Sequence, residues 1–352
     1  MMLDLALVGF GNVGRRFVRL LDERGGVLRD AHGLECRVVG IATRRHGWAH
    51  DARGIDALAA ADAVEAGGRL GPESGDGVAF IRAVAGDWRR SGQAHPLVVV
   101  ETTVLDVRSG QPAVDHARAA LAAGAHVVTA NKGPVAFAYE ELRQAAAAAG
   151  LRFLFEGAVM DGIPVFNLAA RTLPGVQVQG FRGVVNSTTN YIISAMEDGR
   201  DFGEALAEMQ AAGIAEADAS LDVEGWDAAA KAAALANVLL GARTTPPAVR
   251  RVGIEGLDAE AVRDAVARGK RVKLVARGRR AADGETRVSV APEELPEGDL
   301  LAGLRGQQNA VVFETDLLED VAVVQLGGGL TQTAYALVSD LAALRGALPA
   351  PP

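Results

Sequence analysis

Six charged side chains crowd the nineteen residues from Gly213 to Lys231: Glu216, Asp218, Asp222, Glu224, Asp227 and Lys231. The last part reads as the opening of a helix that runs into an apolar stretch, Ala228 to Ala230 and then Ala232, Ala233, Leu235 and Ala236. On that helix Asp227 and Lys231, four apart, share one face. One ammonium among several carboxylates beside a buried segment suits holding a zwitterion and moving a proton. The same residues also read as an acidic loop before a solvated helix start, with Asp227 favouring the helix N-terminus through the dipole.

A second chemical signal opens the chain. Gly9, Gly11 and Gly14 are spaced G-x-G-x-x-G, with Asn12 and Val13 between them, after an apolar strand (Leu3–Val8) and before a helix (Arg15–Leu21). Glycines there allow a tight turn and close backbone approach, and the helix N-terminus offers free N–H groups to a pyrophosphate. The second strand, Arg37–Ala42, ends in Thr43, Arg44 and Arg45 with no carboxylate to hold a ribose hydroxyl. Guanidinium matches phosphate geometry, so this end favours NADP, with NAD also usable. Thr102 and Thr103 follow the next strand, Leu97–Val100, where they can meet the nicotinamide half of the cofactor.

Strands alternating with helices over the first 130 or so residues predict a doubly wound parallel sheet, the Rossmann arrangement, while residues 46–92 are hard to read. After about residue 132 the texture changes. Helices near 163–172, 189–197, 202–212, 226–240 and 258–268 mix with strands at Arg152–Phe155, Gly180–Asn186, Arg271–Arg277, Arg287–Ala291, Ala310–Glu314 and Val321–Gln325. They predict an α+β second domain over 133–327 with an open mixed sheet. A last helix, Thr333–Arg345, is expected to return to the first domain.

At 352 residues the chain has room for two domains, and 49% apolar with 23% charged residues is ordinary for a soluble globular protein. A net charge of −8 argues against a general nucleic-acid binder. No apolar run is long enough to cross a bilayer, and no basic segment followed by an apolar one opens the chain. The single cysteine, Cys36, fits a reducing compartment, and a cytoplasmic location is expected.

Strand, then Asn131-Lys132, at the ligand edge of such a sheet is a distinctive pairing. Together with the glycine pattern, the segment Glu156–Pro164, the segment Asn186–Tyr191 and the spacing Asp222-x-x-Gly225-x-Asp227-x-x-x-Lys231, it resembles the homoserine dehydrogenases over nearly the whole chain. The resemblance implies interconversion of L-homoserine and L-aspartate 4-semialdehyde with a nicotinamide cofactor, in threonine, methionine and isoleucine biosynthesis, by a homodimer built on the second domain. It implies that Lys231 donates the proton to the carbonyl oxygen and that Lys132 lies between substrate and cofactor. Glu216 and Asp227 would hold the amino-acid end of the substrate, with Asp222 in support and Gly213 nearby. Gly327 and Gly329 match a late glycine turn over the cofactor. A monovalent cation, Na⁺ or K⁺, would be held by Glu156, Val159, Asp161 and Ile163, largely through backbone oxygens. Asp218-Ala219 stands where relatives commonly have Asp-Pro, the cation loop departs from the usual family sequence, and no regulatory domain is expected. Two alternatives use the same residues: another Rossmann dehydrogenase of a related amino acid or semialdehyde, and a non-catalytic NADPH-binding regulator, which would not need both lysines.

Overall fold

The computed structural model describes residues 1–72, 75–211 and 219–347. It divides into two compact units, residues 1–163 with 329–352, and residues 164–328. The first contains β1 (Met2–Val8), α1 (Asn12–His32), β2 (Glu35–Thr43), β3 (Gly47–His50), α2 (Ala57–Glu65), α3 (Gly77–Arg90), β4 (Leu97–Glu101), α4 (Ala113–Ala122), β5 (His126–Thr129), α5 (Lys132–Ala148) and β6 (Phe153–Leu154). The strand order is β3-β2-β1-β4-β5-β6. All neighbours run parallel except β3, which returns on β2 as an antiparallel hairpin. The central strands are buried on both faces, which is why β1 and β4 read as continuous apolar runs.

Asp4 interrupts β1 without breaking it. Its fully buried carboxylate accepts from Arg37 Nε at 2.8 Å, Arg37 Nη2 at 3.0 Å and Trp88 Nε1 at 3.0 Å. A buried acid is tolerated where donors surround it. The order steps from β2 through β1 to β4, so the crevice beyond the carboxyl ends of β1 and β4 is the ligand position of such sheets.

The second unit contains β7 (Val178–Val184), α6 (Ser187–Glu197), α7 (Phe202–Ala211), α8 (Ser220–Val223), α9 (Trp226–Leu239), β8 (Arg250–Arg251), α10 (Ala259–Ala267), β9 (Lys270–Arg280), β10 (Thr286–Pro296), β11 (Asn309–Thr315) and β12 (Asp320–Gln325). Its sheet, ordered β12-β11-β7-β9-β10-β8, is antiparallel except where β8 pairs with β10, and α6, α9 and α10 pack on its strands. The last helix, α11 (Leu330–Ala347), belongs to the first unit and buries Ala334, Leu337, Val338, Leu341 and Leu344 among residues of α1 and β1.

Two expectations shift. The boundary falls after Ile163 rather than at 132, because β6 adds a last parallel strand to the first sheet and α5 connects it to β5. The helix expected over 163–172 spans 166–172, beginning after Pro164 and widening over Leu168–Thr172 before it ends ahead of Pro174.

Candidate active site

In the first unit each glycine of the opening motif has a different job. Gly9 takes φ +87°, and a Cβ there would stand 2.7 Å from the backbone of Thr102 and Thr103. Gly14 would meet the Gly9 carbonyl at 2.9 Å. Gly11, at the N-cap of α1, would meet nothing within 4 Å and has ordinary φ. Gly9 and Gly14 therefore serve the packing of the turn, and Gly11 leaves the space at the N-terminus of α1 open. No acidic residue lies in the first turn of α1 to oppose an anion. Asn12 is exposed and accepts from Arg15 at 2.8 Å, whereas Val13 packs toward the core.

At the carboxyl end of β2, Arg44 and Arg45 are exposed. Thr43 is not available as expected. It is buried, and its hydroxyl donates to the Gly47 carbonyl at 3.3 Å and accepts from His46 N at 2.6 Å, closing the β2–β3 turn. Thr102 donates to the Gly9 carbonyl at 2.7 Å, which fixes the turn after β4 to the turn after β1.

Lys132 is the first residue of α5, half-buried behind the N-cap Asn131, whose Oδ1 accepts from Gly133 N at 2.8 Å. The loop named for a cation is tightly engaged. Glu156 is buried and its N–H donates to Asp340 Oδ2 at 2.9 Å. Val159 is buried, and Ile163 N donates to Met160 O at 3.0 Å. Asp161 holds φ +51°, and its Oδ1 accepts from Thr333 at 2.9 Å. Among the described residues no group of three or more His, Cys, Asp or Glu could hold a metal. A cation in this loop would rest on carbonyl oxygens. Gly327 and Gly329 lie on the exposed segment before α11, and the Gly329 carbonyl accepts from Thr333 N at 3.1 Å.

In the second unit the predicted i,i+4 pair forms. Lys231 Nζ lies 2.9 Å from Asp227 Oδ2 and donates to the Val185 carbonyl at 2.6 Å. Gly225, at φ +81°, turns the chain sharply into α9. That helix buries every residue from Ala232 to Asn237, so the ammonium stands at the rim of the core. Asn186 caps α6, accepting from Thr189 N at 2.8 Å, and its Nδ2 donates to Asp222 Oδ1 at 2.7 Å and Asp227 Oδ2 at 2.9 Å. Burial first, and then the neighbouring Asp227, push Asp222 above the ordinary carboxylate range. Glu224 turns away from this group, accepting from Trp226 Nε1 at 3.0 Å while Arg251 stacks 3.9 Å over the Trp226 ring. Gly213 and Glu216 lie outside the described residues.

The bridging role of Asn186 was not read from the sequence. Its signal is an Asn followed by a helical run, which marks an N-cap, at the end of a strand.

The homoserine dehydrogenase family profile matches residues 164–342, and the profile of that family's NAD-binding domain matches 9–156. The NAD(+)-dependent homoserine dehydrogenase of Pseudomonas canavaninivorans is 38% identical over 96% of this chain and 94% of its own length. The chain belongs to the homoserine dehydrogenase family. The homoserine dehydrogenase of Methanocaldococcus jannaschii is 37% identical over 96% of this chain and 97% of its own. Among solved structures, a homoserine dehydrogenase from Thiobacillus denitrificans superposes with TM-score 0.81 at 31% identity, covering 98% of this chain and 73% of that one. A hyperthermophilic archaeal homoserine dehydrogenase in complex with NADPH superposes with TM-score 0.79 at 28% identity, covering 99% of each chain. The protein is thus a homoserine dehydrogenase-type oxidoreductase with a nicotinamide-nucleotide domain. Among the described residues, no helix is long and apolar enough to cross a membrane.

Proposed function

We propose that the protein interconverts L-homoserine and L-aspartate 4-semialdehyde, with Lys231 moving the proton at the substrate oxygen. The observation that carries this reading is the pairing of Lys231 with Asp227 at 2.9 Å and the Val185 carbonyl at 2.6 Å. A carboxylate and a carbonyl that accept from an ammonium fix its direction. The nicotinamide, when bound, supplies or accepts the hydride. During reduction the Lys231 ammonium stabilises the developing alkoxide and hands it a proton, and in oxidation the amine receives the proton from the hydroxyl. Asp227 and Asp222, joined by Asn186, supply negative charge for the substrate ammonium, and Glu216 is expected to share that task. Lys132 is proposed to act toward cofactor and substrate. A cation at the N-terminus of a helix opposes the dipole, which argues for a ligand-directed role.

NADP is the proposed preferred cofactor, with NAD accepted. The support is Arg44 and Arg45 and the absence of a carboxylate at the end of β2. The names of relatives point both ways, one NAD(+)-dependent and one bound to NADPH. A monovalent cation at Glu156, Val159, Asp161 and Ile163, a cytoplasmic location and a homodimer complete the reading. The exposed edge strand β12, with Ala322 and Val324 outward, offers a surface for the dimer.

The test is nicotinamide absorbance with homoserine and each cofactor, with and without sodium or potassium. Turnover of homoserine above related amino alcohols and hydroxy acids is expected. Turnover of another amino alcohol with none of homoserine would overturn the substrate.

A further inference from the structure

The last residue of β4 is a carboxylate with no exposed surface, Glu101. The four residues before it are Leu97, Val98, Val99 and Val100, and an apolar side chain would continue that core at far lower desolvation cost. The acid is instead fully engaged. Its Oε1 accepts from Thr103 N at 2.9 Å and from the Thr103 hydroxyl in a short bond, and its Oε2 accepts from Thr129 Oγ1 at 2.8 Å. His116 Nδ1, itself buried without a hydrogen bond, faces it at 3.6 Å. Thr129 Oγ1 accepts from Asn131 N at 2.9 Å, and Asn131 Nδ2 donates to the Thr103 carbonyl at 2.8 Å. Glu101, Thr103, Asn131 and Thr129 thus close a ring across the ends of two parallel strands. One corner of the ring adjoins Thr102 and, through it, Gly9. Another is the N-cap of the helix that begins with Lys132.

We propose that Glu101 is a positioning residue that fixes the cofactor-facing Thr102–Thr103 turn and the first turn of α5, and so the stations of the nicotinamide and of Lys132. This rests on the reading above that those residues face the cofactor. The carboxylate acts through hydrogen bonds. In Glu101→Gln the amide oxygen keeps both Thr103 contacts. The amide nitrogen donates to Thr129 Oγ1, whose own proton turns to the Glu101 carbonyl, already 3.1 Å away. Glu101→Ala loses the ring, and with it the fixed geometry on which catalysis depends steeply.

The experiment measures the dissociation constants of NADPH and NADH by nicotinamide fluorescence, then kcat, for wild type, Glu101→Gln, Glu101→Ala and Thr129→Val. The expected result is cofactor binding weakened about tenfold or more and kcat lowered about thirtyfold in Glu101→Ala, with Glu101→Gln within about threefold of wild type. Thr129→Val, isosteric and at home in a strand, covers the case in which Glu101→Ala does not fold, and it should lower kcat by about threefold or more. Wild-type cofactor binding in Glu101→Ala, an unaffected Thr129→Val, or a Glu101→Gln as impaired as Glu101→Ala would each overturn the proposal. Because cofactor binding needs no homoserine, a failure of the substrate reading would show in wild-type turnover and leave the Glu101 result standing on its own.

Discussion

Asp222 and Asp227 are bridged by a single amide, Asn186 Nδ2, which donates to one at 2.7 Å and to the other at 2.9 Å. Two acids so close compete for negative charge, and Asp222, pushed upward by burial and by Asp227, bears the cost. An acid whose folded pKa lies above its unfolded value destabilises the fold as pH rises from the unfolded value through the folded one. Asp222→Asn should therefore raise the melting temperature near neutral pH, and the gain should vanish below about pH 4, where the unfolded acid is also protonated. Turnover should fall at the same time. Melting curves of both proteins between about pH 3 and pH 8 check the sign, and a gain that persists at the acid end would contradict it.

Removing the proposed proton donor should separate binding from chemistry. Lys231→Ala is expected to lower kcat by about 10²- to 10⁴-fold while leaving NADPH affinity within about twofold. Steady-state rates with homoserine, beside a fluorescence titration of the cofactor, read the two quantities independently. Unaltered turnover would remove Lys231 from the mechanism.

The opening glycines should fail in different ways. Gly9→Ala puts a methyl group against the Thr102 backbone at a positive φ, so the variant should lose several degrees in melting temperature as well as cofactor. Gly11→Ala meets no protein atom, so its melting temperature should match wild type while cofactor affinity drops about tenfold or more. Thermal unfolding and cofactor titration on both variants provide the comparison.

Replacing Arg44 and Arg45 together with alanine should lower kcat/KM for NADP by about tenfold to a hundredfold, because charge-assisted contacts to phosphate are the stronger kind. The value for NAD should stay nearly constant. An equal loss for both cofactors would assign the arginines a structural role.

Away from the site, Lys273 is fully buried on β9 with Nζ 3.6 Å from Glu197 Oε1, an ion contact without a hydrogen bond. Burial pushes the lysine down and the glutamate up, and Arg305, 3.2 Å from Glu197, adds a second cation. Lys273→Met removes one partner of a buried pair and should cost about 3 kcal/mol in chemical denaturation, while adding Glu197→Gln should recover part of it.

The glycine motif, the strands around it and the Asp227–Lys231 pair were legible because each obeys a short-range rule: a tight turn, continuous apolar runs, a spacing of four on a helix. What the sequence hid depends on longer reach. Thr43 looked like a ligand contact because its hydroxyl's partners, Gly47 and His46, emerge only once the chain folds back as β3. Asn186 and Asp222 lie far apart along the chain, and nothing local announces that one bridges to the other. Glu101 carries no short-range signal, and its partners include Thr129 on the neighbouring strand. The boundary after Ile163 is hidden because Lys132, at the start of α5, stands out by its chemistry, whereas the pairing of β6 with β5 has no local signal.

The nucleotide unit is stitched from both ends of the chain, since α11 supplies Leu337, Leu341 and Leu344 to a core begun by β1 and α1. On the ribosome, where residues emerge in order, that core must wait for the whole of residues 164–328 to be synthesised before its last wall arrives. Release of a prematurely terminated product would leave a stretch of leucine-rich surface bare. A nascent chain stalled before residue 330 should consequently be a client of chaperones rather than a binder of nucleotide.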